Sequence, residues 1–109
     1  MEAEQVARND AVFREANERI EEVARDLDHD DRVPFICECA DPGCRKVVSM
    51  TLGEYERIRA DSTHFLIAPN HDRVAPEHVE IVEKQPGYVV VAKIGAAAEV
   101  ATELDARSP

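Results

Sequence analysis

All three cysteines of this 109-residue chain fall within eight consecutive positions, in the stretch Phe35-Ile36-Cys37-Glu38-Cys39-Ala40-Asp41-Pro42-Gly43-Cys44. Two thiols one residue apart, with a third beyond an Asp-Pro-Gly turn, can converge on a single metal ion while the rest of the chain folds around it. Soft thiolates joined by one imidazole make a closed tetrahedral site for zinc. An iron–sulfur cluster more often uses a fourth cysteine, and the chain has none. Cys-x-Cys-x4-Cys is less common than paired Cys-x-x-Cys knuckles, so inert buried thiols or a redox pair are the alternatives to metal binding.

The fourth ligand must be His29, His64, His71, His78, a carboxylate or water. His29 lies in an acidic run, His64 begins an apolar strand and His78 belongs to an exposed alternating strand. His71 stands at a turn after a strand, where the fold would bring a ligand back, and is favoured. Asp72 or a backbone carbonyl would orient it. Three thiolates and a neutral imidazole around zinc leave a net charge of about −1, which the nearby Arg45 and Lys46 would ease.

The elements that must hold this site read as an α+β domain: a long N-terminal amphipathic helix packed on a small, mainly antiparallel sheet, with a zinc knuckle and one short helix. From about Gln5 to Leu27, Val6, Phe13, Ala16, Ile20, Val23 and Leu27 recur at steps of three and four, with Asn9 the gap in the series. The stripe predicts either a face covering the domain's own core or a seam that pairs with a second helix, with polar Asn9 in register. Val33-Pro34-Phe35-Ile36 and Arg45 to Met50 read as strands flanking the cysteine turn, whose backbone N–H groups are aimed at sulfur. Thr51 and Glu54 have capping-box spacing for a short helix through Ala60, and its Tyr55 reads as a core or edge residue rather than a catalytic phenol.

His64 to Ala68 reads as a buried strand, and Asn70 suits a left-handed turn position. His78 to Lys84 and Tyr88 to Lys93 form a hairpin about Gln85-Pro86-Gly87; the second strand is almost wholly apolar, which makes it the central strand with the long helix covering one face. The chain divides into an acidic helix and linker over 1–31, a zinc-knuckle core over 32–94, and a tail over 95–109 that is partly helical or disordered.

The formal charge is −10, and residues 1–31 carry 11 acidic and 4 basic side chains. Such a surface repels phosphate backbones, which disfavours nucleic acid unless Arg45, Lys46, Arg57, Arg59 and Arg73 form one patch. No stretch has the length of a membrane span, and the start lacks the basic and apolar regions of a secretory signal, so the expected location is cytoplasmic. A reducing compartment also disfavours a disulfide framework.

Phe35-x-Cys37-Glu38-Cys39-x4-Cys44, then Thr51-Leu52-x-Glu54-Tyr55-Glu56-x-x-Arg59, then Phe65-x-x-x-Pro69-x-His71 and a terminal Val-rich strand, resemble a group of small uncharacterised bacterial proteins. The segment Phe13 to Ile20 resembles theirs too, so the likeness covers most of residues 8–93. That group has a glycine before the histidine and a glutamate after it, where this chain has Asn70 and Asp72. The resemblance implies that His71 belongs with the cysteines and brings no activity with it.

These readings predict a non-enzymatic zinc-binding protein with a structural Cys3His site. It would act in a regulatory or adaptor role through a protein partner, or self-association, along the helix Val6–Leu27. The alternatives are a zinc-thiolate redox or metal sensor, and a zinc hydrolase-type enzyme with water in the fourth position and Glu38 as general base.

Overall fold

Helix α1 spans Ala3–Asp26 in the computed structural model, which describes residues 1–26 and 32–107. The helix end at Leu27, the loop Asp28 to Asp31 with His29, and the terminal Ser108-Pro109 lie outside the described residues. The face that α1 buries is displaced by about one residue from the apolar stripe. Val6, Ala7, Asp10, Arg14, Asn17, Glu21 and Ala24 are buried, Phe13, Ala16 and Ile20 are half-buried, and Val23 is 60% exposed.

Polar side chains occupy this inner face because each meets a partner far along the chain. Asp10 pairs with Lys93. Arg14 donates to the carbonyls of Ser62 (2.7 Å) and Ala101 (3.0 Å) and lies over the Phe65 ring at 4.3 Å. Asn17 donates to Ile36 O and accepts from Ile36 N, both at 2.8 Å. Glu21 meets Arg107 at 3.0 Å. A buried polar group is tolerated when its hydrogen bonds are met, and the helix docks through such bonds as much as through apolar area.

Glu21 carries a pH dependence. Burial, followed by the neighbouring Glu56 carboxylate, raises its pKa from 4.5 to about 7. The folded state therefore keeps a proton that the unfolded chain has lost. Its contribution is complete below pH 4.5 and disappears as pH rises through about 7. Glu21→Gln should remove this component, so that the variant gains stability relative to the parent as pH rises across the same window; equilibrium denaturation at several pH values measures the difference.

Strands β1 (Val33–Ile36) and β2 (Val47–Met50) pair antiparallel, with Phe35 opposite Val48. Helix α2 (Leu52–Arg59) starts at the expected capping box: Thr51 Oγ1 accepts from Glu54 N, and the Glu54 carboxylate accepts from Thr51 N. β3 (His64–Ile67), β4 (Val79–Gln85) and β5 (Tyr88–Lys93) form a second antiparallel sheet in the order β3-β5-β4. All six β5 residues are buried, in keeping with its apolar sequence and central place.

The strands thus divide between two sheets, and Glu38 joins them. Its backbone N–H donates to Leu66 O at 2.8 Å, and its side-chain Oε1 accepts from Leu66 N at 3.0 Å. The stretch 95–103 is a helix, α3 (Gly95–Glu103), whose buried Ala97 and Ala101 face α1 through small side chains that permit close approach. Phe35 stacks on Tyr55 with ring centroids 4.3 Å apart and planes 5° from parallel, and Cys37 and Cys39 belong to the same core.

Candidate metal centre

Cys37 and Cys39 follow β1, Cys44 lies beyond the turn, and His71 opens a short 3-10 turn, His71–Val74. The turn at 41–44 is closed by Asp41, whose carbonyl accepts from Cys44 N at 3.0 Å and whose carboxylate accepts from Gly43 N at 2.9 Å. Cys37 N–H donates to Lys46 O at 3.0 Å, which keeps the two arms in register beyond the strand pair. His71 is aimed inward by Asn70, which adopts the left-handed conformation at φ 72°, and by its own N–H, which donates to Ala68 O at 3.1 Å.

The structure brings together the four predicted ligands. One donor atom from each of Cys37, Cys39, Cys44 and His71 lies within 4.8 Å of every other, close enough to hold one metal ion. His71 Nδ1 is 3.4 Å from Cys37 Sγ and 3.6 Å from Cys44 Sγ. Metal–sulfur and metal–nitrogen bonds of about 2.3 and 2.05 Å at tetrahedral angles require an N···S edge of about 3.6 Å, so the donor set fits.

Backbone amides support the sulfurs. Ala68 N–H donates to Cys37 Sγ at 3.2 Å, and the amides of Asp41 and Lys46 favour the thiolate forms of Cys39 and Cys44. A hydrogen bond from Cys37, with those from His71 and the Asp41 amide, holds the Cys39 thiol down at about 5 against the effect of burial. The same hydrogen bond, with burial, pushes Cys37 up, and burial pushes Cys44 up. Crowded thiols that divide their protons in this way are a cluster that a cation can stabilise.

The other described histidines are engaged elsewhere. His64 Nε2 faces Asp61 at 3.4 Å, and His78 Nε2 meets Met1 O at 2.7 Å. Among the described residues no side-chain hydrogen bond joins Asp72 to His71, so of the two expected orienters, Asp72 or a backbone carbonyl, the carboxylate is not engaged. Arg45 and Lys46 are exposed. The buried cation beside the cluster is Lys93, which lines a small cavity with Cys39 and His71 and is held from behind by Asp10. Lys93 ends the apolar run of β5; that one charged position was the only sequence signal for it.

Asn9, the apparent gap in the helical stripe, donates from Nδ2 to Ala40 O at 2.7 Å and so fastens α1 to the cysteine turn. Glu38, between two cysteines, is fully buried and points away from the donor atoms. Its Oε2 accepts from Asn17 Nδ2 at 2.9 Å and its Oε1 from Leu66 N. Burial raises its pKa to about 7, opposed by those two hydrogen bonds.

This geometry distinguishes a structural Glu38 from a general base. Both of its oxygens face donors, so Glu38→Gln must turn an amide NH2 toward one of them. The expected cost is about 1–3 kcal/mol in a denaturant titration. A base serving a hydrolytic centre would instead tolerate the isosteric change in stability.

No family model matches the chain, and no curated protein or solved structure matches it significantly. No helix among the described residues is long and apolar enough to cross a membrane.

Proposed function

We propose that the chain is a small cytoplasmic zinc-binding domain whose metal is structural, held by Cys37, Cys39, Cys44 and His71, and that it serves as a regulatory or adaptor module recognising another protein. The observation that carries the metal reading is the convergence of the four donor atoms, from an early turn and a later one, within 4.8 Å. Three thiolates and an imidazole match the softness and tetrahedral preference of zinc, and four protein ligands leave no open position for a reacting water. The inward, hydrogen-bonded Glu38 supports a non-hydrolytic role. A partner surface is supported by the outer face of α1, where Glu4, Glu15, Glu22 and Asp26 are exposed together with Val12 and Val23.

Elemental analysis of the purified chain tests the site. About one zinc per chain is expected, as for a single closed four-ligand site, with loss or weakening in His71→Ala. Full retention by His71→Ala removes that residue from the set, and a metal-free parent that folds equally well removes the proposal. The adaptor role is tested by affinity capture with the parent and with a Glu15→Lys, Glu22→Lys variant; a partner held equally by both would place recognition elsewhere.

A thiolate sensor is the second reading, on one observation: Cys44 is half-buried while Cys37 and Cys39 are enclosed. Zinc release measured against rising peroxide separates the two readings, because a purely structural centre retains its metal at modest oxidant.

A further inference from the structure

Helix α1 and the segment after α3 border a groove of about 680 Å³. In a chain of formal charge −10 its lining holds five arginines against three glutamates. Glu18, one of the three, is already engaged at both oxygens by Arg59, Tyr55 and Arg107. Glu15 and Glu22 are exposed.

Two buried guanidiniums form the floor. Arg14 is 2% exposed, yet it binds two carbonyls and an aromatic ring, with no carboxylate in salt-bridge range among the described residues. Arg59 gives its terminal nitrogens to Asp105 and Glu18, while its Nε is buried without any partner. Burial and the adjacent Arg59 charge push the Arg14 guanidinium below its usual range. Arg14 is buried with Asp105 and Glu38 offsetting its charge only from beyond salt-bridge range, and the Arg59 Nε–H has no acceptor, so one further anionic acceptor can be accommodated beside them.

The geometry points to a binding site for a small organic acid, with its carboxylate on the Arg14 and Arg59 floor and its hydrocarbon stem along Val12 and Leu104. Both of these apolar side chains line the groove and are exposed, at 66% and 38%. The volume suits a ligand of this size. The unmet demand is that of a single anionic group, and the carboxylates of Glu15 and Glu22 disfavour a dianion such as phosphate.

The test is a titration of the metal-loaded full chain with hexanoate, acetate, hexanol and inorganic phosphate, read by the Arg Nε–H and Leu methyl resonances. Hexanoate should shift Arg14, Arg59 and Leu104 saturably. Acetate, without the stem, should bind more than about tenfold less tightly, since each buried methylene contributes about 0.8 kcal/mol. Arg14→Ala risks the fold, so the informative variant is Leu104→Glu, which sets a like charge on an exposed wall. It should weaken hexanoate by about tenfold or more with the thermal transition unchanged. The site is overturned if hexanoate produces no saturable shift, if hexanol or phosphate binds as tightly as hexanoate, or if Leu104→Glu leaves the affinity unchanged.

Discussion

Removing the metal with a strong chelator is expected to lower the thermal midpoint of the protein by more than about 15 °C and to leave much of the population unfolded at physiological temperature. A structural zinc contributes about 10–16 kcal/mol of apparent binding free energy in small domains, against a typical net folding stability of about 5–15 kcal/mol. Losing only about 4 kcal/mol already displaces the midpoint of a domain this size by about 15 °C or more. The loss is global because Cys37 and Cys39 lie in the same core as Phe35, Tyr55 and Phe65. Circular dichroism melts with and without chelator, followed by stoichiometric zinc, measure it. Restoration by zinc is the expected result, and an unchanged midpoint after verified metal removal would refute a structural role.

Arg59→Ala carries the second largest expected effect. The Arg59 guanidinium is held at 2.7 Å from Asp105 and 3.1 Å from Glu18, and the Arg59 and Asp105 side chains are 1% and 2% exposed. The ion pair itself is not a large net gain, because both charges were desolvated to form it. Deleting one partner is different: Asp105, whose pKa the guanidinium lowers against the effect of burial, is left ionised without its counterion. The expected cost is about 3–5 kcal/mol, read from denaturant titration. Replacing both partners together, as Arg59→Met with Asp105→Leu, should recover a large part of that loss. If the single and double variants were equally destabilised, the penalty would arise from packing rather than from the stranded carboxylate.

The candidate site was legible in the sequence because metal chemistry is local and selective. Cys37, Cys39 and Cys44 announce themselves by type and spacing, and His71 is marked by the turn that Pro69 and Asn70 impose after β3. The elements were legible for similar reasons: the Thr51–Glu54 capping box, the apolar run of β5 and the period of α1 each depend on neighbours in sequence. The orientation of α1 was not. Hydrophobic periodicity weighs Asp10, Arg14, Asn17 and Glu21 as outward residues, and nothing nearby in the chain says that Lys93, Ala101, Ile36 and Arg107 await them. The same blindness hid the role of Glu38, which between two cysteines resembles a general base and is a bridge between sheets.

The polar inner face of α1 also bears on how the chain is made. Synthesis delivers α1 first, and Glu18 must wait for Arg107, 89 residues downstream. An emerging helix with an oily inner stripe would be exposed to self-aggregation throughout that interval. Here the waiting surface shows water Asp10, Arg14, Asn17 and Glu21 beside Val6, Ala7 and Ala24, which lowers the apolar area open to such contacts until the distant partners arrive to dock it.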